Sequence, residues 1–124
     1  MVTKTFSGIK TNSPLPSPAD IKAPDDIGDL LTEYIDSTNS MLEELETAAL
    51  SYESSHSQET AAAIRRVLHK IKGESSMVGI EDMSELCHHA EDAFEDLPEN
   101  KRVDMLLRFK DWASTAMQKL AEGI

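Results

Sequence analysis

The chain has 124 residues, a hydrophobic fraction of 40% with only 5% aromatic, a single cysteine and a formal net charge of −11. That length suits one domain with a short appendage, and abundant Ala, Leu, Glu and Met favour helices packed on helices over sheets. An acidic surface repels nucleic acid and anionic lipid, which argues against both as partners, and no stretch approaches the ~20 apolar residues needed to span a bilayer. The amino terminus lacks an apolar signal core, so the expected location is the cytoplasm. In that compartment the lone Cys87 reads as a small buried hydrophobe.

Residues 1–26 hold Pro14, Pro16, Pro18 and Pro24 among serines and threonines. Proline blocks helix continuation, so the segment is expected to be a flexible, disordered tail that buries nothing. A short partner-binding peptide at Pro14 to Pro18 is the alternative. The tail's charges cancel, which leaves 20 acidic against 9 basic residues in the expected domain, 27–124.

Apolar residues Ile27, Leu30, Leu31, Tyr34, Ile35, Thr38, Met41, Leu42, Leu45, Ala49 and Tyr52 recur mostly every three or four positions, which predicts a helix over 27–52. The serine-rich 51–57 is a break holding His56, a solvated loop residue, and Ser55 or Ser57 caps the next helix. That helix runs over 58–78 and ends at Gly79, a left-handed C′ residue with Ile80 as its hydrophobic companion. Asp82 and Glu85 resemble a capping box, which places a third helix at 83–97, stopped by Pro98. Asn100 caps a fourth over 101–121. Short connections imply antiparallel neighbours, so the expected fold is all-α, an up-down four-helix bundle.

On the 58–78 helix, Ala61, Ile64, Val67, Leu68, Ile71, Ser75 and Val78 share one arc, and His69 misses its centre by roughly 140°. The histidine therefore faces solvent. Arg65 and Arg66 lie one turn before it, Lys72 and Gly73 one turn after, and Ser76 a further turn on. Gly73 costs about 1 kcal/mol inside a helix, a cost consistent with leaving the turn beside His69 bare for another molecule to approach. A nucleophilic imidazole among cations that neutralise phosphate oxygens is chemically a phosphoryl acceptor. No Gly-rich phosphate loop or Walker pattern is present, so the phosphoryl donor must come from outside this sequence.

These residues carry a resemblance. His69-Lys70-Ile71-Lys72-Gly73-Glu74-Ser75 is similar to the H-x-[LI]-K-G-x-[SA] signature of histidine phosphotransfer (HPt) domains, including the amino-terminal phosphotransfer domain of CheA-type chemotaxis histidine kinases. The resemblance implies that His69 takes a phosphoryl group from a histidine kinase or a phospho-aspartate and passes it to a response-regulator receiver domain. It implies no cofactor on this chain, with Mg²⁺ supplied by the receiver, and a monomer that is not itself an enzyme.

A phosphoryl-accepting imidazole is helped by an acceptor that holds its proton on the other nitrogen. On the third helix Glu91 and His88 lie on one edge of the apolar face, so Glu91 reaches His69 if that edge abuts the second helix. The CheA-like subset has a His-x-x-Glu there, matched by His88-His89-Ala90-Glu91. The resemblance then implies Nδ1–H of His69 on Glu91 and Nε2 free for phosphorylation. Lys72, with Arg65 or Arg66, is expected to stabilise phosphoryl oxygens, and Gly73 and Ser76 with Arg65 to dock the partner. His88 is a network member or a spectator, His89 is solvent-exposed, and Glu74 adds negative charge near the site. A metal reading on His69, His88 and Glu91 fails because carboxylate-bridged bundles need two Glu-x-x-His pairs and this chain has one, reversed. The remaining alternative is a helical interaction module in which His69 is incidental.

Overall fold

A computed structural model of the chain describes residues 5–123. Its elements in order are a single helical turn, α1 (Gly8–Thr11), a 3-10 turn (Pro18–Asp20), and four long helices: α2 (Asp29–Ser55), α3 (Gln58–Val78), α4 (Glu81–Asp96) and α5 (Glu99–Glu122). Among the described residues there is no strand. The long helices form a four-membered ring in which α2 packs on α3 and α5, and α4 on α3 and α5. This is the all-α antiparallel bundle that the spacing predicts.

The helix ends follow from local chemistry. Ser57 Oγ accepts from the Thr60 backbone N–H at 3.1 Å and caps α3. At the other end Gly79 takes φ 81°, and Ile80 N–H reaches Ser75 O at 2.9 Å while its side chain is fully buried. The close approach of Pro24 adds a second reason for glycine here, since a Cβ on Gly79 would lie 2.9 Å from the proline ring. The expected side-chain caps Asp82 and Asn100 differ from the structure. α4 begins two residues earlier than expected, behind Ile80, with Glu81 and Asp82 in its first turn, where negative charge complements the positive end of the helix dipole; α5 begins behind Pro98.

Two buried features were not expected. Tyr34 on α2 and Ser75 on α3 share a 2.7 Å hydrogen bond in the core, and Ser75 Oγ also donates to Ile71 O at 2.7 Å. The other feature is the amino-terminal arm, where the expectation was a flexible tail that buries nothing. Phe6 (2% exposed), Ile9 and Ile21 instead join the core, and the arm runs from the α4–α5 end of the bundle up to Gly79.

Proline forbids a long helix in the arm but not burial, provided that the backbone carbonyls find donors. Helix α5 supplies them. Arg108 donates to Gly8 O and Ser13 O, and Trp112 Nε1–H to Pro16 O at 2.7 Å. Phe6 meets the Trp112 ring edge to face at 5.2 Å, and Lys10 pairs with Asp96. The part of the expected tail at residues 1–4 lies outside the described residues.

Two outcomes follow from this packing. Phe6→Ala should destabilise the fold by ~3 kcal/mol, the cost of emptying a packed aromatic site, with a matching change in Trp112 fluorescence; an unchanged melting curve would mean that the arm does not dock. Burial pushes the Tyr34 hydroxyl up to about 12, partly opposed by its bond to Ser75. Because the folded value lies above the unfolded one, this contribution is full below pH 10 and is lost as pH rises through about 12. Denaturant titrations should therefore show a loss of at most ~3 kcal/mol over that window in wild type and a flatter profile in Tyr34→Phe.

Candidate functional site

Helix α3 buries Ile64, Val67, Leu68, Ile71 and Ser75 and turns His69 outward, with its side chain 75% exposed. What faces that imidazole depends on how α4 lies against α3. Ser76 Oγ meets Ser84 Oγ at 2.7 Å, His69 Nδ1 lies 3.8 Å from Glu91 Oε2, and Arg65 grips Glu95 through Nε (2.6 Å) and Nη2 (3.0 Å). All three pairs obey one antiparallel register. Fully buried Ala90 and Ala93 let the α4 backbone lie close to the bundle on that side.

Glu91 is the centre of the arrangement, with its side chain 26% exposed. Its Oε1 meets Lys72 Nζ at 2.7 Å as an ion pair, outside good hydrogen-bonding angles, while Oε2 faces the imidazole. At 3.8 Å the His69 contact is too long to be a hydrogen bond. Closing it takes about 1 Å of side-chain movement, which an exposed ring can make. Lys72 was expected to face phosphoryl oxygens; in this structure its ammonium rests on Glu91.

The other expected residues divide. Arg66 is exposed and makes no hydrogen bond or ion pair among the described residues, so it is an unengaged cation three residues before His69. Arg65 is held by Glu95 and stacks over Phe94 at 5.4 Å, while Arg102 covers the same ring at 5.0 Å and donates to Tyr52 Oη and Leu97 O. His88 turns to Asp92 at 3.6 Å and packs edge-on against His89, and it shares no ion pair with His69 or Glu91. Glu74 accepts from Ser37 Oγ of α2 at 2.9 Å, which directs its charge to the α2–α3 seam and away from His69.

Two further features frame the site. A Cβ built on Gly73 meets nothing within 4 Å, so packing inside the domain does not require glycine there. On the α2–α3 side, exposed Leu30 and Met77 (83% exposed) flank a shallow groove of about 330 Å³. The Arg65 guanidinium holds the Glu95 carboxyl below the usual carboxylate range, and burial pushes the Cys87 thiol up, which keeps it protonated and unreactive. No group of three or more His, Cys, Asp or Glu among the described residues is arranged to hold a metal ion, and no described helix is long and apolar enough to cross a membrane.

Glu95 was missed at the sequence level, although its spacing carried a signal. It lies one turn after Glu91 just as Arg65 lies one turn before His69, so any antiparallel register that joins one pair joins the other. Leu30 was placed on the buried stripe but is half exposed, at the rim of the groove it shares with Met77 and Val78.

A family model described as Hpt domain matches residues 29–123, which are α2 through α5. No curated protein and no solved structure matches the chain.

Gly73→Ala should stabilise the isolated domain by ~1 kcal/mol in thermal unfolding followed by circular dichroism, because alanine is the better helix former and its methyl meets open space. A loss of stability would contradict that geometry.

Proposed function

The chain belongs to the Hpt domain family, phosphoryl carriers that exchange phosphoryl groups with histidine kinases and response regulators in phosphorelay signalling, and we propose that His69 is the residue that carries the group here. The observation that supports it most is the pairing of a largely exposed imidazole with a partly buried carboxylate, Glu91, whose second oxygen is taken by Lys72.

Once the ring closes the gap to Glu91, Oε2 accepts the Nδ1–H of His69, which leaves the Nε2 lone pair free to attack phosphorus. The new P–N bond forms at Nε2 as the bond to the donor breaks, and ADP or an aspartate carboxylate leaves. With the proton kept on Nδ1 the ring becomes cationic, and the adjacent carboxylate stabilises that charge. Transfer to a receiver aspartate reverses the step, with Mg²⁺ and the acidic pocket on the receiver. Lys72 acts as a positioning residue that fixes Glu91, and Arg66 supplies positive charge to the phosphoryl oxygens.

The His88-His89-Ala90-Glu91 segment and the carboxylate opposite His69 favour a CheA-like phosphotransfer domain acting as a cytoplasmic monomer. His88 is a spectator in this reading, since it pairs with Asp92. The partner approaches over the bare turn at Gly73 and Ser76 and across Leu30 and Met77, an apolar patch beside a charged site.

His69→Gln should abolish acid-labile, base-stable labelling by a CheA-type kinase catalytic fragment and ATP while helical content stays constant, and Glu91→Ala should slow labelling by about tenfold. Label retained on His69→Gln would reject the assignment. Wild type that binds a receiver domain but never takes label would make the bundle an interaction module.

A further inference from the structure

Arg65 and Glu95 form an exposed bidentate pair one helical turn from His69, and nothing in the proposed chemistry uses the glutamate. Helical side chains lean toward the helix amino terminus, so the His69 ring lies over the turn that carries Arg65 and Arg66. The two rungs, His69 with Glu91 and Arg65 with Glu95, therefore sit side by side. A cleft of about 280 Å³ between them is lined by Arg65, Leu68, Glu91, Asp92, Phe94 and Glu95.

Both members of the pair are about half exposed (49% and 51%), and an ion pair in that setting is weak. The guanidinium also keeps a second support, the Phe94 ring, when the carboxylate lets go. A phosphoryl group on Nε2 would bring two negative charges within one turn of Arg65, against the single charge of Glu95, and guanidinium binds phosphate oxygens in the same forked geometry as carboxylate.

We infer that Glu95 is a positioning residue that parks Arg65 beside the empty site, and that Arg65 exchanges Glu95 for the phosphoryl group once His69 is phosphorylated. This rests on His69 as the phosphoryl acceptor. Glu95 then sets the lifetime of the carrier state: it orders the arginine in the free domain and competes for it in the loaded one. Arg66, which no carboxylate among the described residues holds, is the permanent cation, and Arg65 the conditional one.

The test uses the full chain and phosphoramidate, a small donor that removes any kinase or receiver from the measurement. Its phosphoryl group passes to Nε2 with ammonia as the leaving group. In wild type, the Arg65 Nε–H signal in a ¹H–¹⁵N spectrum should shift on phosphorylation. The half-life of the phosphorylated chain should fall about two- to fivefold in Arg65→Gln and rise by a similar factor in Glu95→Gln. In the double variant it should match Arg65→Gln alone, because Glu95 acts only through the arginine. A merely structural pair would change the melting curve but leave the wild-type Nε–H signal unmoved by phosphorylation. An unmoved signal with equal half-lives in all four chains overturns the inference while His69 stands. Absence of any label on wild type overturns the reading of His69 itself.

Discussion

The antiparallel register of α3 against α4 is the constraint on which the site depends. It places Ser84 against Ser76, Glu91 against His69 and Lys72, and Glu95 against Arg65. A shift of a single residue in either helix would rotate these pairs apart by roughly 100° and leave an exposed histidine with no carboxylate beside it. The register is held from below by apolar side chains, with Ile64, Leu68 and Ile71 of α3 and Leu86, Cys87 and Ala90 of α4 all fully buried. Core packing thus determines which charges meet at the surface.

The bundle also separates its faces. The α3–α4 edge carries the charged pairs, and the α2–α3 edge carries the exposed apolar residues Leu30 and Met77 beside the open turn at Gly73. On the remaining side, the arm runs over α4 and α5 with Phe6, Ile9 and Ile21 in the core. This division puts the proposed chemistry and the proposed docking surface side by side, while the amino-terminal segment packs away from them. The Tyr34–Ser75 bond ties α2 to α3 one to two turns beyond His69, so the helix bearing the histidine is fixed on two flanks.

Most of the bundle was legible because helices announce themselves by period. Leu42, Leu45 and Ala49, or Ile64, Leu68 and Ile71, repeat on one face whatever the surroundings. Helix α3 was readable to the residue, since Ser57 and Gly79 are strong local signals; α4 and α5 start two residues early because backbone geometry, not an Asp or Asn side chain, begins them. The arm was illegible for a different reason. Phe6, Ile9 and Ile21 are too few and too irregularly spaced to show a period, and their burial depends on Arg108 and Trp112 about a hundred residues away. A trace of it exists in α5: Met105, Arg108 and Trp112 lie roughly 100° to 160° from Leu106, outside the arc that faces the bundle, and two of them are apolar. At the site, the exposure of His69 and the nearness of Glu91 were readable from spacing, whereas the engagement of Lys72 by Glu91 and the turn of Glu74 toward Ser37 depend on side-chain directions that spacing does not specify.

The central claim is that a carboxylate on α4 selects the tautomer of an exposed imidazole on α3. Long-range ¹H–¹⁵N spectroscopy of the His69 ring tests it most directly, because it distinguishes a protonated from an unprotonated nitrogen at neutral pH. The account predicts a protonated Nδ1 and a bare Nε2 in wild type, with that preference lost in Glu91→Gln. A ring protonated on Nε2, or a tautomer indifferent to residue 91, would contradict it.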